Sequence, residues 1–165
     1  MAATVTLKGN PLKLYGDQVA VGETAPNFHG LKGLLDTVNL ASFRGKTVII
    51  NSVPSIDTPV CDLQAKRFNE EAAKLGPNVV VLVVSVDLPP AQARWCGAAA
   101  AKDVVLLSDF RDHDFGRKYG TLIPDLGLLC RAVFVVDAQG VLKYVQYVKE
   151  IAEHPDYEAA LAAAK

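Results

Sequence analysis

The sequence predicts one α/β domain over residues 1–165, a mixed central sheet flanked by helices, with an amino-terminal β-hairpin ahead of it. Three observations carry the prediction. Short apolar runs rich in Val, Ile and Leu alternate with stretches whose apolar residues recur at helical spacing, the pattern of strands joined by helical crossovers. The last two runs, RAVFVVD and VLKYVQYV, are joined by a short turn holding Gln139 and Gly140, so they pair antiparallel where earlier runs pair in parallel. Half of the 165 residues are apolar and 21% are charged, and a chain of this length buries roughly 70% of its unfolded surface without help from disulfides.

The elements follow in order. TVTLKG and PLKLYG alternate apolar and polar residues on either side of Asn10 and predict a hairpin turned at Gly9 and Asn10. After a loop carrying Gly22 and Pro26, Thr47 to Val53 reads as a buried strand that ends at Pro54. Thr58 is placed to cap a helix with Pro59 at its first position, and Val60, Leu63, Phe68, Ala72 and Leu75 recur near helical spacing until Gly76 ends the run. Lys66 with Glu70, Arg67 with Glu71 and Glu70 with Lys74 stand four apart, where helix side chains meet. A second strand spans Val79 to Val86, and Pro89 and Pro90 open a helix that continues to about Ala101. Val104 to Leu107 is a short strand and Asp112 to Tyr119 a helix. Arg131 to Asp137 and Val141 to Val148 form the closing hairpin, and Asp156 starts a last helix. This order is a thioredoxin-like layout, with helices on both faces of the sheet. No internal repeat, low-complexity tract or long linker divides it.

Composition excludes several functions. With 17 basic and 18 acidic residues and no run of like charge, the chain lacks the clustered Lys and Arg that nucleic-acid binding requires. Its longest strongly apolar stretch, Val79 to Val86, is far short of the ~20 residues that span a bilayer, so no membrane partner is expected. The opening MAATVTLKGN has no basic cap followed by an apolar segment, which points to the cytoplasm. Cys61, Cys96 and Cys130 are widely spaced with no C-x-x-C, which argues against structural zinc. Asp109, Asp112, His113 and Asp114 read as helix-start residues rather than metal ligands.

In open α/β sheets the functional crevice lies at the carboxyl ends of the strands, and Cys61 and Cys96 both follow such ends, where they could share one rim. Cys61 falls in the first turn of its helix, where unpaired backbone N–H groups and the positive end of the dipole favour a thiolate.

The segment Pro54-Ser55-Ile56-Asp57-Thr58-Pro59-Val60-Cys61 fits P-x-x-x-T-x-x-C and resembles the active-site loop of the peroxiredoxins. The longer runs NSVPSIDTPVCDLQAKRFNEEA, SVDLPPAQARWCGA, RAVFVVD and PDYEAALA resemble the thiol peroxidase subgroup of the atypical two-cysteine peroxiredoxins, a likeness that covers nearly the whole chain. The resemblance implies that Cys61 is the peroxidatic cysteine and Cys96 the resolving one, with Thr58, Pro54 and Arg131 completing the first pocket. A thiolate that attacks one peroxide oxygen needs positive charge and donors facing the other, which Arg131 and Thr58 supply, while Pro54 closes the pocket and shields a sulfenic acid. It further implies hydrogen peroxide and organic hydroperoxides as substrates, thioredoxin as reductant, a homodimer with its disulfide inside one chain, and no metal, haem or flavin. Thiols emerging from two different helices usually stand farther apart than a disulfide allows, so local unwinding of both first turns is expected during the cycle, with Gly97 a weak point beside Cys96.

Plainer readings exist for the same residues. Thr58 and Pro59 alone make an ordinary helix start, Cys96 alone a small residue on an Ala-rich helix, and Arg131 alone an edge charge paired with Asp137. Strand alternation turns Cys130 away from Arg131 and makes it a core cysteine; His29 and His154 fall in loop-like sequence, and Trp95 reads as packing or pocket wall. Two other functions compete with a peroxidase. A cysteine hydrolase using Cys61 requires His29 or His113 as base, and a redox-inactive thioredoxin-like binding or holdase module requires inert thiols.

Overall fold

A computed structural model of the chain describes residues 3–165. The two-residue turn Lys8-Gly9, both at positive φ (51° and 80°), joins β1 (Thr4–Leu7) to β2 (Asn10–Lys13). The turn therefore lies one residue earlier than the sequence predicts, and Asn10 pairs with Leu7 inside the hairpin. β3 (His29–Leu31) and β4 (Thr37–Asn39) form a second hairpin, followed by a 3-10 turn at Leu40–Phe43. β5 (Thr47–Ser52), α1 (Pro59–Leu75), β6 (Val79–Ser85), α2 (Pro89–Ala99) and β7 (Val104–Ser108) supply the crossovers. α3 (Asp114–Lys118), the small hairpin of β8 (Leu122–Ile123) and β9 (Leu128–Leu129), the pair β10 (Ala132–Val136) and β11 (Leu142–Tyr147), and α4 (Tyr157–Ala163) complete the chain.

The main sheet has the order β11-β10-β5-β6-β7-β3-β4. β5, β6 and β7 are parallel, while β10 joins β5 and β11 joins β10 antiparallel. Alternation along each strand divides the core in two. Ile49, Val81, Val83, Val133 and Val135 meet Ala65 and Phe68 of α1 and Ala160 and Leu161 of α4, with Trp95 and Cys96 of α2 packed against them. Val48, Ile50, Leu82, Val84 and Phe134 face the opposite way, onto Phe28, Phe115 and Tyr119, whose rings lie 4.7 to 5.5 Å from one another, with Phe134 5.1 Å from Tyr119 and 6.2 Å from Phe115. Among the described residues no helix is long and apolar enough to cross a membrane.

Local periodicity misplaced some details. α1 buries Cys61, Gln64, Ala65, Phe68 and Ala72, which leaves Leu63 53% exposed on the outer face. Arg67 pairs with Glu71 as predicted, but Lys66 turns back to Asp62 at 2.9 Å and Lys74 reaches Glu71 at 3.5 Å, so Glu70 takes no part. β3, β4, β8 and β9, each two or three residues long, carry too few alternations to read from sequence.

α3 is held by a residue outside it. Asp109, one position beyond β7 and 3% exposed, accepts from the backbone N–H of Phe115 at 3.0 Å and of Gly116 at 2.9 Å. Burial pushes this carboxyl up to about 6, although both N–H donors pull it down. The folded protein therefore binds the proton more tightly than the unfolded chain; the stabilisation is complete below about pH 4 and is lost as pH rises through about 6. Relative to Asp109→Asn, the native protein is expected to lose on the order of 3 kcal/mol between pH 4 and pH 7. Urea midpoints of the pair across that range measure this, and a constant difference between them would refute it.

Candidate active site

Because β5 and β6 are parallel neighbours, their carboxyl ends open side by side, and the loop leaving β5 is pinned by a residue just past β6. Asp87 accepts from Ser55 Oγ at 2.7 Å, from the Ile56 N–H at 2.7 Å and from Ser85 Oγ at 2.6 Å. Pro54 and Ile56 are buried by this clamp. Thr58 then enters α1 in extended conformation, and its carbonyl accepts the first helical bond from the Asp62 N–H at 2.9 Å. Its side chain does not cap the helix as predicted; the hydroxyl donates to the Ser55 carbonyl at 3.3 Å and lines a cleft.

One turn into α1, Cys61 is completely buried and meets Arg131, which is 1% exposed. The guanidinium spends its donors on three partners: Nη2 on Cys61 Sγ at 3.2 Å, Nη1 on Gln64 Oε1 at 2.8 Å and Nε on the Ile151 carbonyl at 2.8 Å. Gln64 Nε2 in turn donates to Asn51 Oδ1 at 2.9 Å, which fixes the amide with its oxygen toward Arg131. Burial of a guanidinium is costly unless it is paired. Of its three acceptors only the sulfur can carry the complementary charge. Asp137, the partner that a plain edge arginine would have taken, instead lies 3.5 Å from Lys143.

The cleft above this pair measures about 350 Å³. Pro54 and Thr58 form one wall, Arg131 lies among its lining, and Leu7, Ile123 and Leu126 bring apolar surface from the two small hairpins. The amino-terminal hairpin reaches the site because Thr6 exchanges backbone bonds with Lys149 at 2.7 Å and Ile151 at 2.9 Å. The same strand end therefore positions both Leu7 and the carbonyl that holds Arg131.

Cys96 lies elsewhere. It is half-buried and lines a separate groove with Lys32, Gln92 and Val105, and all three cysteines are free thiols. Burial pushes the Cys96 thiol up, opposed by the charge of Lys32. The two helices are nevertheless tied, since Trp95 Nε1 donates to Asp62 Oδ1 at 2.7 Å. The two cysteines line no common cleft among the described residues: Cys96 is the eighth residue of α2, not in its first turn as expected, and its thiol lines the groove with Lys32 while the adjacent Trp95 faces α1. Cys130 is completely buried in the core, as its sequence position predicts, and burial pushes it up to about 12.

No histidine bonds Cys61 among the described residues; His113 stands immediately before α3. His29 lies at the start of β3 rather than in a loop and bridges Asp112 at 2.9 Å and Asp114 at 3.2 Å, while His154 bonds the Tyr157 hydroxyl at 2.7 Å. Sequence reading missed Gln64, Asn51 and the Ile151 carbonyl. The first two carried a signal, each being a polar residue in an otherwise apolar row: Gln64 on the buried face of α1, Asn51 within the TVIINSV strand.

A family model described as Redoxin matches residues 20–161. The chain is 53% identical to a thiol peroxidase of Halalkalibacterium halodurans and 52% identical to one of Bacillus subtilis, each over 163 residues, covering 99% of this chain and 98% and 97% of those proteins. Among solved structures, a peroxiredoxin-like protein from Aquifex aeolicus superposes with a TM-score of 0.91 at 42% identity over 99% of this chain and 96% of that one. A thiol peroxidase from Chromobacterium violaceum superposes with a TM-score of 0.84 at 26% identity, over 94% and 91% of the two chains. The family match and the full-length identities agree: the chain belongs to the redoxin family, among its thiol peroxidases.

Proposed function

We propose that this protein is a thiol-dependent peroxidase of the cytoplasm that reduces hydrogen peroxide and organic hydroperoxides, working as a homodimer with thioredoxin as reductant. The observation that carries this reading is the Arg131 guanidinium donating to Cys61 Sγ at 3.2 Å at one end of an apolar cleft. The Cys61 thiolate attacks one oxygen of the peroxide; the O–O bond breaks, Cys61 becomes a sulfenic acid, and the other oxygen leaves as alkoxide or hydroxide and takes a proton. Arg131 faces the charge that develops on the leaving oxygen, and the Thr58 hydroxyl turns from the Ser55 carbonyl to donate to it. The sulfur of Cys96 then displaces water from the sulfenic acid to form a disulfide, and a dithiol protein reduces it back to two thiols. Apolar surface from Leu7, Ile123 and Leu126 supports organic hydroperoxides as substrates alongside hydrogen peroxide. A hydrolase reading gains nothing from the geometry, since neither His29, which bonds Asp112 and Asp114, nor His113 bonds Cys61, and the sulfur faces the Arg131 cation rather than a base.

Intact mass and peptide mapping after one equivalent of cumene hydroperoxide test this. The expected product is a Cys61 to Cys96 disulfide, with Cys130 alkylated only after denaturation. If Cys61 stays a thiol and the peroxide survives, the redox-inactive binding-module reading replaces it.

A further inference from the structure

The single tryptophan of the chain, Trp95, immediately precedes Cys96, and Asp62 immediately follows Cys61. Their side chains are bonded, indole Nε1 to carboxylate Oδ1 at 2.7 Å, while the other carboxylate oxygen receives Lys66 at 2.9 Å. The residue beside each reacting thiol is thus tied to the residue beside the other. Successive helix residues point about 100° apart, so while Trp95 faces α1 the Cys96 thiol faces the groove beside Lys32. For the two sulfurs to meet, α2 must turn or unwind, and Trp95 must leave Asp62.

Local capping of these helix ends is weak. No side chain caps the start of α1. α2 contains Gly97, around which nothing lies within 4 Å of a built Cβ, and it ends on Ala100 in the left-handed region at φ 52°, strained for a residue with a Cβ. The Asp62 to Trp95 bond is therefore a tertiary tie across two ends that are weakly held on their own.

We propose that this bond is a latch on the catalytic cycle, an inference that rests on Cys96 being the resolving cysteine. Closed, it keeps the Cys96 thiol turned to the groove beside Lys32, while Arg131, held separately by Gln64 and Ile151, keeps Cys61 ready for peroxide. Open, it frees Cys96 to reach the sulfenic acid. Its strength sets how long that acid waits, and hence how it divides between two balanced fates: Cys61–SOH with Cys96–SH gives the disulfide and water, while Cys61–SOH with a second ROOH gives the sulfinic acid and ROH.

Trp95→Phe keeps a packed ring and removes the donor; Asp62→Asn keeps an acceptor oxygen without its charge. Rapid acid quench and mass spectrometry follow sulfenic acid and disulfide after one equivalent of peroxide. The disulfide step is expected to be about tenfold faster in Trp95→Phe, the effect of losing one hydrogen bond to a charged acceptor, and less so in Asp62→Asn. The first oxidation keeps its native rate, and the peroxide needed to drive half the protein to sulfinic acid rises by a similar factor, a split that general loosening of the fold would not produce. In the native protein the indole emission changes with the disulfide step and not with sulfenic acid formation, and it stays constant in Cys96→Ser; this readout and Asp62→Asn decide the matter should Trp95→Phe fail to fold. Unchanged disulfide rates with a normal disulfide overturn the latch alone. Absence of any Cys61 to Cys96 disulfide in the native protein overturns both the latch and the role of Cys96.

Discussion

Arg131→Met is expected to lower the second-order rate of reaction with peroxide on the order of 10³-fold, with at most about 30-fold recovered by raising the pH. The two numbers separate two jobs of one side chain. An ordinary thiol is only ~3% ionised at pH 7, so making it fully ionised gains about 30-fold and no more. The remainder must come from donors aimed at charge that exists only while the O–O bond breaks. Arg131 is built for this: three partners, Cys61, Gln64 and Ile151, fix the whole guanidinium plane, and the side chain is 1% exposed. Lysine would restore a charge but not the fork, since a single ammonium does not reproduce the planar donor set that spans these three acceptors, so Arg131→Lys is expected to recover little. Stopped-flow rates of native protein and Arg131→Met from pH 5 to pH 10 make the measurement. Complete restoration of Arg131→Met at high pH would show that ionisation is the whole effect.

Cys96→Ser is expected to leave the first oxidation of Cys61 at its native rate and to cut turnover with a dithiol protein reductant by about 100-fold or more, because a tethered thiol reacts at an effective concentration that no free reductant matches. The sulfenic acid then persists, and excess peroxide carries it to the sulfinic acid. Closing a 35-residue loop by a disulfide would stabilise the oxidised chain by about 3.8 kcal/mol on chain-entropy grounds, but the rearrangement of α1 and α2 consumes part of that. The bond is expected to be readily reduced. Single-turnover and steady-state peroxide consumption, read side by side, check both halves. Native turnover in Cys96→Ser would mean that the reductant attacks Cys61 directly and that Cys96 has no part in the cycle.

Much of this was legible in the sequence. The runs TVIINSV, VVVLVVSV and RAVFVVD are largely apolar because their strands are covered on both faces, so they announce themselves without partners. Pro59 and Gly76 bracket α1, as backbone rules require. Cys61, Pro54, Thr58 and Arg131 were named from a motif, and the folded chain brings them to one place around the cleft and its buried sulfur. Cys96 was named by the same route and lies apart, because residue spacing does not say which way a helix turns its thiol.

What remained hidden depended on contacts distant in the chain. That Thr58 would turn its hydroxyl to Ser55 instead of capping α1 follows from the clamp Asp87 places on the loop, some thirty residues away. That Gln64 and Asn51 would carry the arginine follows from α1 lying on β5, and that Leu7 would face the cleft follows from Thr6 docking on Lys149 and Ile151. Local patterns fix backbone type and burial, because those depend on neighbours along the chain. Orientation of a polar side chain is decided by whichever donor or acceptor the fold brings beside it. The sequence by itself thus determined the central strands, the helices that flank them and the candidates for the reacting residues; only the tertiary structure decided which partner each polar group would meet, because no buried polar group can be satisfied until its partner has arrived.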